Sequence, residues 1–296
     1  MRVFVTDAAG FIGTETTKEL IANGHQVVGL ARSEENVATL EKLGAEVHRG
    51  SLQDLESLKS GARDCDGVIH LAFIHDFSKF AENGAVDKTA IEAMGDVLAG
   101  TNKPFIVTSG TGLVAAGVVV TEDMRRDSSP HVPRMSEQAG LAYASRGVRA
   151  MAIRLPQVHG ADGKAGLITY LLELARQKGA AAYVGEGAER WAAAHRQDVA
   201  RLYRLALEKG AADGIYHAVG EEGVPMRQVI DVIGRALNVP VVSIRKGQAA
   251  DYYGPLAIFA GLDMPASSAL TQQRLGWTPT GIGLIADIGQ PGYFKV

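Results

Sequence analysis

The chain holds one cysteine, Cys65, in 296 residues. That excludes an intrachain disulfide framework and any zinc cluster built from several thiolates, and it suits a reducing compartment such as the cytoplasm. An apolar run of about 18 residues is also missing, so no segment is expected to span a bilayer. Residues 1–24 lack a cationic start leading into a long apolar stretch, and no signal peptide is expected. Charge of one sign is not in excess. A net charge of −3 and a pI near 6.3 give no reason to expect nucleic acid or a membrane surface as partner. There is no internal repeat and no low-complexity block. What is present, 46% hydrophobic and 21% charged residues, describes a globule large enough for one α/β domain, alone or with a smaller lobe.

The most informative stretch is residues 3–32. Val3-Phe4-Val5 reads as a buried strand and runs into Thr6-Asp7-Ala8-Ala9-Gly10-Phe11-Ile12-Gly13. A helix-compatible segment to Ala22, a turn at Asn23-Gly24 and a second strand at Gln26–Ala31 complete a β-turn-α-β unit of the kind that binds dinucleotides. Gly10 would let backbone N–H groups approach a diphosphate, and Gly13 would let helix and strand pack closely. The helix N-terminus adds unpaired N–H groups and a partial positive charge. Asp7 stands where the three-glycine pattern has its first glycine. Aspartate tolerates positive φ, but its carboxylate would repel a diphosphate.

The alternation continues along the chain. Helices are expected at 34–43, 53–62, 84–99 and 135–146, and strands at 45–49, 67–73, 104–109 and 148–154. The fold class is therefore α/β, a doubly wound parallel sheet of Rossmann type, with ligands at the carboxyl ends of the strands. Strict alternation stops near residue 155. Helices at 166–178, 197–209 and 225–237, short strands at 181–184, 215–219 and 241–244, and a turn-rich aromatic stretch at 247–281 describe a second part. The expected division is a dinucleotide-binding domain at 1–155 and a smaller substrate lobe at 156–296, with some elements returning to the first.

Strand two ends at Arg32-Ser33 rather than at an acid. Arginine there favours the 2′-phosphate of NADP over the free hydroxyl of NAD, so NADP(H) is preferred and NAD(H) is allowed. Glu34 and Glu35 read as first-turn residues behind a Ser33 N-cap.

Several segments, in their order and spacing, resemble the short-chain dehydrogenase/reductase superfamily. They most resemble its extended and atypical branch of NAD-dependent epimerase/dehydratase-like proteins. Val3–Gly13 resembles the glycine loop except at Asp7, Val27–Ser33 the second strand with an NADP-type ending, and Gly67–Ala72 the strand beside the cofactor. Arg154–Gly160 resembles the Arg-Pro-x-x-Val-Tyr-Gly turn, His195–Ala200 a His-Val-x-Asp-Val-Ala helix start, and Leu275–Pro279 a Leu-Gly-Trp-x-Pro ending. The resemblance implies a Tyr and a Lys four residues apart as the catalytic pair. No tyrosine of this chain has a lysine at that spacing, and the matching place reads Pro133-Arg134-Met135-Ser136-Glu137-Gln138. The family's helix asparagine falls at Asp87.

Strand ends and resemblance together assign the cofactor to Asp7, Gly10, Phe11, Ile12, Gly13, Arg32, Ser33, Leu52, Leu71, Ala72, Phe73, Thr108, Pro156 and Val158. Catalytic candidates are Ser109 or Thr111 for a substrate oxygen, His75 as an acid or base, and Arg134 for a phosphate or a substrate carboxylate. Asp76, His159 and Trp191 are candidates for contact with substrate, and no metal is expected. His195 reads as a structural helix start, and Tyr143 as core. The leading expectation is an NADP-dependent oxidoreductase of the carbonyl reductase or alcohol dehydrogenase type acting on a small ketone or alcohol. Its proton would come from His75, His159 or a water. Alternatives are a non-catalytic NADP(H)-binding sensor or partner-binding protein and a sugar epimerase or dehydratase. A homodimer is allowed.

Overall fold

The apolar runs become strands covered on both faces. In the computed structural model, which describes residues 1–125, 133–160 and 166–294, β1 is Arg2–Thr6, β2 Gln26–Ala31, β3 Glu46–Arg49, β4 Gly67–His70, β5 Pro104–Gly110 and β6 Arg149–Leu155. Between them lie α1 (Phe11–Ala22), α2 (Glu34–Leu43), α3 (Leu55–Arg63), α4 (Phe80–Leu98) and α5 (Ser136–Leu141). After β6 come β7 (Gln157–His159), α6 (Leu167–Lys178), β8 (Ala181–Val184), β9 (Arg190–His195), α7 (Arg196–Lys209), β10 (Gly214–His217), β11 (Glu221–Pro225), α8 (Met226–Leu237) and β12 (Val241–Ile244). Three short helices follow: α9 (Ala249–Tyr253), α10 (Ala269–Leu275) and α11 (Leu284–Ile288). Among the described residues, no helix is long and apolar enough to cross a membrane.

Seven strands form one parallel sheet in the order β3-β2-β1-β4-β5-β6-β10. The side-chain period of two divides each strand between two cores. Val3 and Val5 join Leu20 of α1 and Leu202 and Leu207 of α7 on one face. Phe4 joins Leu58 of α3 and Ile91 and Met94 of α4 on the other. Chain order reverses between β1 and β4, the crevice where doubly wound sheets take ligands.

Helix signals in the sequence act as read. Ser33 caps α2 by accepting from the Asn36 N–H, with Glu34 and Glu35 in the first turn and Gly44 closing the helix in a left-handed conformation. Asp54 caps α3 through the Ser57 N–H at 3.1 Å.

Four expectations change. The strand expected at 67–73 stops at His70, because the Thr6 hydroxyl, rather than a ladder carbonyl, accepts the N–H groups of Leu71 and Ala72 at 3.1 Å each. The helix expected at 135–146 is α-helical only to Leu141. It continues as a 3₁₀ stretch, Ala142–Arg146, closed by Gly147 at φ 73°. The helix expected from residue 84 starts at Phe80. β7, β9 and β11 were not foreseen. They form a three-stranded sheet in the order β11-β9-β7, with β9 parallel to β7 and antiparallel to β11. β9 is rich in alanine and β11 contains Gly and Pro, so neither has strand propensity. β8 and β12 pair in parallel. A separate core there includes Leu171, Leu172, Val229, Ile233 and Leu284. β10 and α7 leave that part of the chain to complete the large sheet.

Candidate active site

The site begins at Thr6, the last residue of β1. Its hydroxyl accepts both the Leu71 and Ala72 amides, so both lone pairs are used. Its proton therefore goes to His70 Nδ1, 2.9 Å away, and His70 donates from Nε2 to Asp87 Oδ1 at 3.1 Å. Ser136 donates to the other Asp87 oxygen at 2.5 Å and accepts from Arg134 Nε at 2.9 Å. A second Arg134 nitrogen donates to the Thr108 carbonyl at 2.9 Å, and the guanidinium lies 3.9 Å over the Phe73 ring. Thr6, His70, Asp87 and Ser136 are all buried. Burial alone would raise the Asp87 carboxyl. Its hydrogen bond from His70, with help from Arg134 and Ser136, holds it below the usual range. A continuous polar chain thus runs from the end of β1 to Arg134.

The turn after β1 has the shape its glycines imply. Asp7 is left-handed at φ 55°, and the Gly10 N–H bonds its carbonyl at 2.9 Å. A Cβ on Gly13 would fall 1.8 Å from that carbonyl oxygen, so only glycine lets α1 approach. A Cβ on Gly10 would fall 2.1 Å from Asp7 Oδ2. The Asp7 carboxylate is therefore folded onto Gly10, at the N-terminus of α1. Gly10 caps that helix without a side-chain hydrogen bond, and the first-turn N–H groups have no intrahelical acceptor. The backbone fits a dinucleotide diphosphate, and the Asp7 side chain is the one element that opposes it. Water reaches this side chain, but it sits in a concavity crowded by protein. Burial pushes its carboxyl up to about 6, against the lowering pull of Arg32 and His70.

A cavity of about 520 Å³ extends from this turn along the strand ends. Asp7, Phe11, Ile12, Leu71, Phe73, His75, Thr108, Ser109, Thr111, Arg134, Pro156, Val158 and Trp191 all line it, so most sequence candidates come together. Ser109 is buried, and its hydroxyl has no hydrogen-bond partner among the described residues. Thr111 has a long bond of 3.4 Å to the Leu155 carbonyl. The Thr108 hydroxyl instead bonds the His70 carbonyl and Tyr203, each at 2.7 Å. Burial, and then the Arg134 charge, lower the His75 pKa, so its imidazole is neutral at pH 7.

Other candidates lie apart from the cavity lining. Arg32 is exposed at the tip of β2, with no ion pair among the described residues. Ser33 caps α2 and also bonds the Asn36 side chain. Leu52 packs against the core beneath β1. Ala72 gives its N–H to Thr6. Asp76 is turned to solvent and accepts from the Ser78 amide at 3.0 Å and the Ser78 hydroxyl at 2.5 Å. His159 is buried outside the cavity. Its Nδ1 lies 2.8 Å from Asp287 Oδ2, and its ring makes an edge contact with His195 at 5.6 Å. Arg154 and Asp198, within two of the segments that carry the resemblance, hold the frame. Arg154 makes a fully buried two-toothed pair with Glu137 (2.6 and 2.7 Å). Asp198 accepts the Thr280 and Gly281 amides.

Leu167, Tyr170 and Met264 line the cavity and were not foreseen. Tyr170 had a signal. It is an exposed aromatic on α6, off the buried stripe of Ile168, Leu171 and Leu172. Phe259, from the turn-rich aromatic stretch at 247–281, is also in the wall.

The profile of the NAD dependent epimerase/dehydratase family matches residues 3–219. Uncharacterized protein C2A9.02 of Schizosaccharomyces pombe is 47% identical over 99% of this chain and 100% of its own length. The sterol-4-alpha-carboxylate 3-dehydrogenase (decarboxylating) of Dictyostelium discoideum is 27% identical over 76% of this chain and 73% of its own. Among solved structures, the dTDP-glucose 4,6-dehydratase DesIV of Streptomyces venezuelae, with NAD bound, superposes with a TM-score of 0.75 at 20% identity. The match covers 98% of this chain and 95% of that one.

Proposed function

This chain belongs to the NAD-dependent epimerase/dehydratase family, and from that premise we propose that it is an NADP-preferring oxidoreductase interconverting a small ketone and its alcohol. The observation that carries the reading is the Ser109 hydroxyl, unpartnered among the described residues, in one cavity with Arg134, His75 and the glycine turn. The turn backbone from Gly10 to Gly13 would hold the diphosphate, with Arg32 and Ser33 at the 2′-phosphate and Leu71, Phe73, Pro156 and Val158 along the remainder. A bound nicotinamide would supply or accept the hydride. Ser109 donates a hydrogen bond to the carbonyl oxygen, with Thr111 beside it. Arg134, set by Phe73 and Ser136, stabilises negative charge that develops on that oxygen. A guanidinium cannot give up a proton. A neutral His75 is suited to accept a proton during alcohol oxidation, and in ketone reduction a water is the better donor. The dehydrogenase named among the relatives agrees with this reaction class.

The test is a fluorescence titration with NADPH and NADH. Tighter binding of NADPH, reversed in Arg32→Asp, supports the reading. If neither cofactor binds the chain or its Asp7→Gly variant, the reading is wrong. One observation favours a sensor without turnover: Asp7 folded over Gly10, in a chain without the Tyr/Lys pair. Cofactor binding with no turnover across a broad ketone panel would decide for it.

A further inference from the structure

Charge is unevenly distributed around the cavity. Every carboxylate, imidazole and guanidinium in its described wall (Asp7, His75 and Arg134) comes from the connections that follow β1, β4 and β5 of the large sheet. The part of the wall that comes from the chain beyond Gly166 is Leu167, Tyr170, Trp191, Ala192, Phe259 and Met264, and among the described residues it presents no charged group. Phe73 and Phe80 extend that apolar surface toward the β4 end, and Phe73 meets Phe80 edge-on with ring centroids 5.9 Å apart.

A nucleotide sugar would put two phosphates and several hydroxyls against this wall. Each polar group buried without a partner is strongly unfavourable, and a charge more so. An alkyl or aryl group gains from the same burial, in proportion to the area it covers. The cavity thus combines polar groups enough for one oxygen with a larger apolar surface.

We infer that the substrate is a predominantly apolar ketone: its oxygen meets Ser109 and Arg134, and its alkyl or aryl body lies against Tyr170, Phe259 and Met264, which set the specificity. This inference rests on the oxidoreductase reading for the chemistry, but the apolar site itself can be tested by binding alone.

The experiment is isothermal titration calorimetry of the full chain, free and saturated with NADP⁺. The probes are the alkan-2-ones from butan-2-one to octan-2-one, dihydroxyacetone and UDP-glucose. Affinity should rise roughly threefold to fourfold per added methylene, with a negative heat-capacity change, while dihydroxyacetone and UDP-glucose give no saturable heat. Phe259→Ala should lower octan-2-one affinity about tenfold and leave NADPH affinity unchanged. Tyr170→Ala, at a side chain 40% exposed and so safe for folding, should act in the same direction. Saturable UDP-glucose binding, or ketone affinity independent of chain length, overturns the inference even if NADPH binds. If NADPH fails to bind but the alkanones bind in graded fashion, the oxidoreductase reading falls and the apolar site stands. If nothing binds, both fall.

Discussion

Asp7 combines a left-handed backbone, which the turn requires, with a carboxylate that the turn does not. Replacing it with glycine keeps the backbone and removes the charge. Asp7→Gly is therefore expected to bind NADPH about tenfold or more tightly at pH 8, measured by fluorescence titration. The unaltered chain should close part of that gap as the pH falls through about 6 and the carboxyl takes up a proton. Arg32 and His70, the charged or titratable neighbours, pull the other way and shorten the range. The same group affects stability. Its pKa is raised above the ordinary carboxyl value of 3.8, so the folded state binds the proton more tightly. Stability should then decline as pH rises from about 4 to about 6, and level off above that. Asp7→Asn should abolish the decline in denaturant titrations at pH 4 and 7. Water reaches the side chain, so the effect is at most about 1 kcal/mol. Ser109→Ala is expected to lower kcat by about 10² with little change in NADPH affinity, as for loss of one donor to a developing oxyanion. An unchanged kcat would remove Ser109 from the reaction. The types of residue at the site were readable in the chain because strand ends converge in this fold. Which hydroxyl stays unpartnered was not, since it depends on Thr108 bonding Tyr203, 95 positions away.

At the scale of elements, the sequence revealed what local chemistry dictates. β2 and α2 begin and end where apolar runs, the Ser33 cap and Gly44 place them. β9 and β11 were hidden because their pairing, not their composition, makes them strands. α4 and α5 illustrate a contact between elements that no periodicity announces. Asp87 on α4 takes hydrogen bonds from His70 on β4 and Ser136 on α5. Asp87→Ala would leave both donors buried and unsatisfied, at a cost of about 2–5 kcal/mol, and would loosen Arg134. Denaturant unfolding measures the first effect. A higher KM for ketone measures the second, and no change in either would show that the polar chain is incidental. Ser33→Ala removes the α2 cap and should cost about 1 kcal/mol. If NADPH affinity falls as well, Ser33 also serves the cofactor.

Across the whole molecule, the two ends of the chain beyond β6 are tied to each other. His159, at the end of β7, and Tyr293, near the C-terminus, share one oxygen of Asp287 on α11, at 2.8 and 2.6 Å. The Tyr293 hydroxyl also accepts the Gly160 N–H at 2.7 Å. The turn around His159 suggested a ligand contact, but this tie depends on residues more than a hundred positions distant and could not be read locally. Burial would raise the Asp287 carboxyl, while its bonds to His159 and Tyr293 hold it lower. The stability this adds is present above the carboxyl's unfolded pKa and is lost as pH falls through the folded one. Asp287→Asn should lower Tm at pH 7 by several degrees, with a smaller difference in strong acid, as followed by differential scanning calorimetry.

The edge strand β10 has a consequence for the chain as it is synthesised. Residues 214–217 complete the sheet against β6, yet they follow β7, α6, β8, β9 and α7 in the chain. A nascent polypeptide that has emerged only as far as β6 carries six parallel strands and an uncovered apolar edge, and long-range pairing of this kind is slow to form. Translation must therefore deliver α6, β8, β9 and α7 before the first core can close, and an arrested chain ending before residue 214 is the species most exposed to aggregation and to capture by chaperones.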